Sequence, residues 1–530
     1  MRPAYAAALL TLAIAGVLLP AAGTAQDNRL PDIGSSAGSV LSPAQQEQYG
    51  AMTLSQLRNY GYTLDDPLLG GWLQSIGERL GAASDQPKQP FTFFLLRQRD
   101  INAFATLGGY IAVNAGLVLA ADSEDEVAAV MSHEIAHVTQ SHVLRAVERA
   151  QRDSIPILLA MLGAIAVAQS SGGNSSNDAM MAAVMSAQGL MAQRQIDYTR
   201  GNESEADRIG IRTLARAGYD PTAMAGFFEQ LQSVVRSNIS DSREGTPGYL
   251  QTHPVTTTRI SEARDRARQM AGELRPFVPS AGASDNPLLP ASLRIAASAG
   301  AGGASGQFPW AHERMRVLSA DTPAAAVREY DRIGRAGTLD DAQRYGLALA
   351  HYLDGHPAVA AAELEPLLAA HPGDIWLSLA LAQAEARSGK TAAADARLDA
   401  LSARMPNNRA VALTHAGILA ERNTPAAGKR AQALLRPLLG SAADDPVFQQ
   451  TFARASEIAG DPVRAGEAYA EAAYLNGRPE QALVQLNILK KRDDIDYYAR
   501  ARIDARIAAI TPTVLELRRQ GIHDEDLDRR

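Results

Sequence analysis

The sequence predicts an α+β domain, mostly helical with a small sheet, followed by an all-α solenoid of helical repeats. The sheet is predicted from two short apolar runs with strand character, Phe91–Leu96 and Gly109–Val113. Helices are predicted around them, because apolar residues there recur at helical spacing. Repeats are predicted after residue 307, where turn signals recur every 34 residues.

Composition restricts both the class of protein and the kind of site. The 530 residues exceed the usual size of one compact domain, and 46% hydrophobic with 21% charged residues is typical of globular protein. The net charge of −7 comes without a basic block, so nucleic-acid binding is not expected. The chain has no cysteine, which excludes a lipoprotein anchor, a disulfide and a thiolate metal site. A metal site here must use histidine, aspartate and glutamate.

The N-terminus has the pattern of a secretory signal peptide. Arg2 is followed by the apolar run Ala6–Leu19 and by small residues at 23–25, which predicts cleavage after Ala25. A membrane anchor is the alternative, but the apolar run is short for a span of about 20 residues. We therefore expect residues 1–25 to be removed and the mature protein to reside in the periplasm.

Further boundaries follow from composition. The stretch 279–307 is dominated by Ala, Gly, Ser and Pro, which is typical of a linker. It separates the α+β domain at 26–278 from the repeats at 308–515, and a charged tail occupies 516–530. Within the first domain, the segment 154–193 has an apolar run and a methionine-rich half. It is interpreted either as a lid that touches membrane or unfolded clients, or as a helical hairpin packed on the domain.

Residues 133–137 read HEIAH, an arrangement found in zinc peptidases. On one helix, His133 and His137 lie a turn apart on the same face and can both donate an imidazole nitrogen to one ion. Glu134 is rotated by about 100° from His133, so its carboxylate can reach a water molecule beside that ion without binding the ion. These residues predict a metal site with Glu134 as the general base.

The helix that carries this motif has a recognisable start. Ser123, with Glu126 three residues later, forms a capping-box pattern, so we expect the helix to begin near Glu124 and to continue toward Arg152. His142 lies nine residues after the first histidine of the motif. On a continuous helix this offset turns His142 away from the site, and we expect its side chain to be solvated.

A second acidic helix supplies further candidate ligands. Asn202 is the expected N-cap, Glu203 opens the helix, and Gly218 ends it. Glu203 and Asp207 are four residues apart and share one face. A catalytic zinc site usually has three protein ligands, and two histidines leave one position to fill. The alternative, an acidic first turn that suits the helix dipole, accounts for Glu205.

HEIAH followed by ExxAD resembles the HtpX and CAAX-prenyl-protease family of zinc metallopeptidases, peptidase family M48. The resemblance implies a zincin fold of the gluzincin type with one Zn²⁺ per chain. It implies that Glu203 is the third metal ligand beside His133 and His137. It also implies that Asp207 supports a ligand histidine and fixes its tautomer.

The stretch THPVTTTRI resembles an HP…R element that the same family carries near its metal. The resemblance implies that His253 stabilises the tetrahedral intermediate or binds the zinc in a resting form. It implies in addition that Arg259 supports charge at this catalytic site. A capping or surface role for His253 is the alternative.

The region before the HEIAH helix resembles the part of the family that binds substrate in extended form. The resemblance implies an edge strand that binds peptide backbone by strand addition. An ordinary structural strand is the alternative. The candidate residues are Asn102, Ala103, Phe104 and Ala105.

The helical part of the chain has an internal repeat. Its turn residues Gly355, Gly389 and Asn423 are 34 residues apart. Trp376 and Ala380, four residues apart, have the large and the small side chain that are typical of these positions in a repeat's first helix. This period resembles that of tetratricopeptide repeats, and an unrelated alanine-rich helical bundle is the alternative. Stacked repeats of this kind usually bind other proteins.

The combination of signal peptide, zincin domain and repeats is similar to the BepA-type branch of the family, which acts in the Gram-negative periplasm. The resemblance implies a zinc endopeptidase that hydrolyses misfolded or stalled proteins, with outer-membrane proteins as the client class. It implies that the repeats bind clients or the outer-membrane assembly machinery, and peripheral membrane contact is a further expectation. The competing hypothesis is a chaperone or assembly scaffold that works through the repeats and has a latent peptidase domain.

Overall fold

The computed structural model describes residues 41–146, 148–149, 199–241, 249–250, 253–271 and 304–519. The predicted signal peptide, the segment 154–193, the linker up to residue 303 and the tail from residue 520 lie outside the described residues. Within the described ranges, no helix combines the length and the apolar character that a bilayer span requires.

A three-stranded sheet lies at the centre of the first domain, as the strand-like runs predict. Its strands are β1 Thr92–Leu96, β2 Ala103–Ala105 and β3 Tyr110–Asn114, in the order β1-β3-β2. β3 runs parallel to β1 and antiparallel to β2. The short β2 is therefore an edge strand.

Helices cover both faces of this sheet. Along β3, Tyr110 and Ala112 pack with Leu54, whereas Ile111 and Val113 face the main core. This alternation follows from the two-residue period of a strand. The helices labelled in the domain are α1 Pro43–Asn59, α2 Pro67–Ala83, α3 Ala115–Ala120, α4 Glu124–Thr139, α5 (residues 199–216), α6 Ala223–Asp241 and α7 Thr257–Ala271. Residues 142–146 and 148–149 are helical as well.

The helix that carries HEIAH begins where the sequence predicts but ends earlier. The Ser123 side chain accepts a hydrogen bond from the N–H of Glu126 and caps α4. The expectation of one continuous helix toward Arg152 is wrong, because α4 ends at Thr139 and Ser141 has a left-handed φ of 54° before the chain becomes helical again at residue 142. This turn contains neither glycine nor proline, so the usual signals of a helix end are missing from the sequence.

α5 also differs from the prediction at one end. The chain is already helical at residue 199, so Asn202 is not the N-cap and Glu203 has at least four helical residues before it. The other end is as predicted, since Gly218 closes the helix with a φ of 86°. Glu203 therefore sits within a formed helix and not at its first position.

The second part of the chain is an array of helices that pack on their neighbours in sequence. The last helix runs past residue 515, so residues 516–519 are helical and do not belong to a tail. The helices are α8 Phe308–Leu318, α9 Pro323–Ala336, α10 Asp341–Leu353, α11 Pro357–Ala370, α12 Ile375–Arg387, α13 Thr391–Arg404, α14 Arg409–Glu421, α15 Pro425–Leu435, α16 Pro446–Ala459, α17 Pro462–Leu475, α18 Pro479–Lys490 and α19 Tyr497–Arg519.

The predicted repeat turns have the expected backbone conformation. Gly355 and Gly389 have φ values of 87° and 88°, and Asn423, in the corresponding position, has 51°. Glycine adopts this left-handed conformation freely, and asparagine tolerates it better than most residues. Within α12, the side chains of Trp376 and Ala380 are buried. The repeat fold predicted from the 34-residue period is confirmed.

The array packs back against the first domain. α8 contacts α2 and α3, α14 contacts α2, and α17 contacts α1. At the first of these contacts, the Arg314 guanidinium donates hydrogen bonds of 2.8 and 2.6 Å to the carboxylate of Asp66, and both side chains are nearly buried. Burial acts to raise the pKa of Asp66, but the charge and hydrogen bonds of Arg314 outweigh burial and hold the pKa below its usual value.

We predict that Arg314→Met destabilises the folded chain by about 3–5 kcal/mol, since removing one partner of a buried ion pair leaves the other charge uncompensated. Because the pKa of Asp66 is lowered, the pair's contribution is present above the ordinary aspartate pKa and is lost as the pH falls through the folded value. The measurement is the free energy of unfolding in urea at neutral pH.

The matched control for this prediction is Arg344→Met. Arg344 pairs with Asp341 on the surface, where both side chains are nearly half exposed. A surface pair of this kind contributes at most about 1 kcal/mol. Equal destabilisation by Arg314→Met and Arg344→Met would contradict the role given to the buried pair.

Candidate metal centre

Four side chains with metal-binding atoms converge on one point of the first domain. They are His133 and His137 on α4, Glu203 on α5, and His253 shortly before α7. One donor atom from each lies within 4.8 Å of the donor atoms of the other three. Three of these side chains are buried, and that of His137 is partly exposed.

Close packing of α4 against α5 brings these groups together. At Gly210 on α5, a methyl group would lie 3.1 Å from the backbone nitrogen of His133 and 3.2 Å from its Cα. Backbone cannot yield as a flexible side chain does, so glycine permits an approach that a larger residue would resist. Ala136 and Ala206 extend the same contact with small side chains. Glu203 lies two turns before Gly210 and shares its face of the helix.

The separations of the donor atoms fit a tetrahedral ion site. His133 Nε2 lies 3.0 Å from His137 Nε2 and 3.4 Å from His253 Nδ1. Glu203 Oε2 lies 3.4 Å from His133 Nε2, whereas Glu203 Oε1 lies 3.4 Å from His137 Nε2 and 3.0 Å from His253 Nδ1. Nitrogen and oxygen ligands about 2.0–2.1 Å from a shared ion in a tetrahedron are about 3.3 Å apart. The four residues are therefore arranged to hold a metal ion.

The charges of the cluster also suit a cation. Burial acts to raise the pKa of Glu203, but contacts with three imidazoles outweigh it and keep the pKa far below its usual value. Burial acts to lower the pKa of His133, yet Asp207 and Glu203 raise it to about 10. Burial lowers the pKa of His137 to about 3, so this imidazole is neutral and has a lone pair to donate. The cluster stabilises one positive charge between its carboxylates.

The residue expected to support a ligand histidine is in contact with one. Asp207 Oδ1 lies 3.0 Å from His133 Nδ1, the ring nitrogen that faces away from the other donors. Arg259 donates two hydrogen bonds of 2.7 Å to Asp207, and its Nη1 lies 3.0 Å from Glu203. Arg259, expected among the catalytic groups, thus contacts both acidic residues of α5. In this position it orients the two carboxylates and offsets their charge.

Glu134 lies beside the cluster and is 1% exposed. Its Oε1 atom is 3.7 Å from His253 Nε2 and has no hydrogen-bond partner among the described residues. Burial raises the pKa of this carboxyl above its usual value. A buried carboxylate with an unpaired oxygen and a raised pKa is suited to accept a proton.

His253 is buried, so the alternative of a surface position does not hold. Its side chain is 8% exposed, and the ring stacks on that of Tyr249 with 4.7 Å between the centroids. The N–H of His253 donates to the Tyr249 carbonyl at 2.7 Å, and the N–H of Tyr249 donates to the carbonyl of Ile101 at 3.1 Å. These bonds connect the histidine to the loop that precedes β2.

The expectation that His142 is solvated is wrong. Its side chain is 3% exposed, with Nδ1 at 2.8 Å from His137 Nδ1 and Nε2 at 3.1 Å from Glu205 Oε2. The turn at Ser141 breaks the helical phase, so an offset counted along one helix no longer points away from the site. Burial lowers the pKa of His142 to about 4. Glu205 also accepts a hydrogen bond of 2.7 Å from Arg145, so the helix dipole alone does not account for it.

The predicted edge strand lies next to this cluster, and α4 packs against it. The carbonyl of Asn102 accepts a hydrogen bond from β3, and the N–H of Thr106 donates one to β3. In an antiparallel ladder every second residue bonds to the same neighbour, so the backbone groups of Ala103 and Ala105 point toward the free edge. Phe104, between them, faces β3 with its backbone. A groove along the edge is lined by Ala105 and, on α4, by His137.

Both parts of the chain match described protein families. Peptidase family M48 matches residues 67–267, which contain the metal cluster, and the tetratricopeptide repeat matches residues 351–418.

Two curated relatives match nearly the whole chain, and a third matches about a third of it. The beta-barrel assembly-enhancing protease of Yersinia pestis is 33% identical over 492 residues, which cover 92% of each chain. The protein of that name from Escherichia coli strain K12 is 33% identical over 505 residues, 94% of this chain and 95% of its own. Metalloprotease LoiP of the same strain is 29% identical over 181 residues, 34% of this chain and 63% of its own length. The chain therefore belongs to the beta-barrel assembly-enhancing proteases, metalloendopeptidases that join an M48 peptidase domain to a tetratricopeptide-repeat array.

Proposed function

We propose that the chain is a zinc endopeptidase that holds one Zn²⁺ with His133, His137 and Glu203. The observation that carries this proposal is the set of donor separations between 3.0 and 3.4 Å. Two imidazoles and a carboxylate suit zinc and leave a position for water or substrate. The contact of Asp207 with His133 Nδ1 supports the proposal, because histidine ligands usually donate their other N–H to a carboxylate.

The proposed reaction is hydrolysis of a peptide bond with Glu134 as the general base. When bound, zinc polarises the scissile carbonyl and makes water a nucleophile at neutral pH. The Glu134 carboxylate takes a proton from the attacking water and passes it to the nitrogen of the leaving amine. Burial supports both transfers, since the raised pKa of Glu134 brings its carboxyl closer to the working pH.

Substrate is proposed to bind as an additional strand along β2. The backbone groups of Ala103 and the carbonyl of Ala105 can pair with an extended peptide, while Asn102 and Phe104 hold β2 to β3. The backbone N–H of Ala105 donates a hydrogen bond to the Glu134 carboxylate, which places this edge directly beside the proposed base. A peptide bound there passes alongside α4 and its Glu134, because α4 packs against β2. Only an extended segment can pair in this way, so the site selects unfolded or locally unfolded protein.

His253 is proposed to hold the peptidase in a resting form. Its Nδ1 lies within 3.1 Å of both Glu203 oxygens and 3.4 Å from His133 Nε2, so it can serve as a fourth ligand. Displacement of its segment then opens that position to substrate. In the alternative role, the imidazole donates a hydrogen bond to the charge that develops on the scissile carbonyl oxygen, and removing it would then lower the cleavage rate.

The clients are proposed to be misfolded or stalled proteins bound for the outer membrane. Two relatives that match over 92–95% of their length are named for enhancing beta-barrel assembly. The array then binds clients or the outer-membrane assembly machinery, since stacked helical repeats present extended binding surfaces. The predicted signal peptide supports the periplasm of a Gram-negative bacterium as the compartment. Peripheral membrane contact through the segment 154–193 stays a prediction.

A second candidate function is that of a chaperone or assembly scaffold with a latent peptidase domain. The position of His253 among the metal donors favours it, because a fourth protein ligand excludes water from the ion. The two functions are compatible if displacement of His253 is controlled by client binding to the array.

We predict that Glu134→Gln lowers kcat for casein at least about 100-fold, because general acid–base catalysis contributes that much or more. The variant should keep one zinc ion per mature chain, whereas Glu203→Ala should lose the ion. The measurements are cleavage of casein and elemental analysis of the purified protein. As a control, Glu262→Gln removes a partly exposed carboxylate that pairs with Arg266 and should behave as the wild type. Full activity of Glu134→Gln would mean that another group is the base.

If substrate pairs with β2 as an added strand, the backbone N–H groups of every second substrate residue should contribute hydrogen bonds to binding. N-methylation at every second position should lower kcat/KM roughly 2- to 10-fold each, since one net hydrogen bond is worth about 0.5–1.5 kcal/mol. Methylation at the intervening positions should have less effect. The measurement is the cleavage rate of a peptide series that differs in the position of one methyl group. A uniform effect along the series would argue against a strand-like complex.

We predict that His253→Ala raises the rate of casein cleavage several-fold while the zinc content stays at one ion per chain. The reason is that the variant removes the fourth donor from the ion. His356→Ala, which changes an exposed histidine of the array, is the control. Loss of activity with zinc retained would instead assign His253 to the reaction alone and remove the basis for a latent form.

A further inference from the structure

We propose that His142 is a positioning residue for the metal ligand His137. Together with Glu205 and Arg145 it forms a chain of hydrogen bonds that fixes which ring nitrogen of His137 faces the ion. The inference rests on the proposed function, because it requires an ion at the cluster.

The contact between the two imidazoles determines where their protons lie. His137 Nδ1 and His142 Nδ1 are 2.8 Å apart, a distance at which one nitrogen donates and the other accepts. His137 Nε2 faces the cluster, 3.0 Å from His133 Nε2, and must keep its lone pair to bind an ion. A neutral imidazole has one proton, so His137 carries it on Nδ1. His142 Nδ1 is therefore the acceptor.

The contact between His142 and Glu205 requires the same placement of protons. With Nδ1 as acceptor, His142 carries its own proton on Nε2, which lies 3.1 Å from Glu205 Oε2. A carboxylate can only accept a hydrogen bond, so the protons cannot be arranged the other way. Arg145 donates to the same oxygen at 2.7 Å and holds Glu205 in place. One carboxylate thus sets the tautomers of two imidazoles.

Both histidine ligands of α4 then have equivalent support from α5. His133 Nδ1 lies 3.0 Å from Asp207, which is held by two hydrogen bonds from Arg259. His137 reaches its carboxylate, Glu205, through one interposed imidazole, and that carboxylate also has an arginine partner. Support of this kind fixes the ring orientation and raises the basicity of a metal-binding histidine.

The backbone is shaped for this contact. Ser141 has a φ of 54°, a conformation that costs roughly 1–2 kcal/mol for a residue other than glycine. The turn ends α4 just after His137 and brings the ring of His142 to 4.7 Å from that of His137, at an angle of 81°. Backbone strain persists where surrounding contacts hold it, and it clusters at functional sites. The contacts of His142 with His137 and Glu205 follow directly on this turn and add to the backbone hydrogen bonds that Ser141 makes with Val138 and Arg145.

The test measures the zinc affinity of the full mature chain by competition with a chromophoric chelator. His142→Phe keeps a ring and loses both nitrogens, and we expect the zinc dissociation constant to rise about 10- to 100-fold, as is usual when the support of a ligand histidine is removed. Glu205→Gln should weaken binding as well. His142→Gln keeps one acceptor and one donor and should recover most of the affinity. Glu262→Gln, whose described contacts are with Ser204 and Arg266, is the matched control.

Thermal unfolding in excess chelator separates positioning from folding. A positioning role leaves the metal-free midpoints of Glu205→Gln and His142→Gln near that of the wild type. The inference is overturned if the wild type binds zinc and both His142→Phe and Glu205→Gln bind it equally tightly. It is also overturned if Glu262→Gln loses as much affinity as they do. A wild type that binds no zinc would instead overturn the proposed function, and the inference with it.

Discussion

The burial of the Glu203 carboxylate among three imidazoles is the interaction on which the rest of this structure depends. A buried ion costs several kcal/mol unless its partners are close and well oriented. Here the partners come from α4 and from the segment before α7, and Arg259 adds a positive charge at 3.0 Å. The contact of α4 with α5 at Gly210 brings the carboxylate to these partners. Charge interactions thus hold α4, α5, the segment before α7 and Arg259 together. They surround a position that suits a cation.

The repeat array is attached to the same elements that carry this unit. Glu124, the first residue of α4, accepts hydrogen bonds from Trp72 on α2 at 3.0 Å and from the N–H of Ser305, at the end of the linker, at 2.8 Å. The buried pair of Asp66 and Arg314 joins α2 to the first helix of the array. The helix with the metal donors therefore shares its support with the array.

Local patterns predict the parts of the site that lie on single helices. HEIAH and the pair Glu203 and Asp207 follow helical periodicity, which the sequence encodes over a few residues. His253 comes from a distant part of the chain, so it was indicated by resemblance and not by spacing. His142 was missed because α4 ends at a turn without glycine or proline, and the contacts that offset the cost of that turn are tertiary. A third histidine five residues after the motif was the available signal.

The central claim is that imidazole nitrogens and one carboxylate hold a zinc ion, and X-ray absorption at the zinc edge of the purified mature chain tests it most directly. The account predicts four nitrogen or oxygen neighbours at about 2.0–2.1 Å, with the multiple scattering that at least two imidazole rings produce. A shell of six oxygen atoms without imidazole scattering would contradict it, because the ion would then lie outside the cluster of His133, His137 and Glu203.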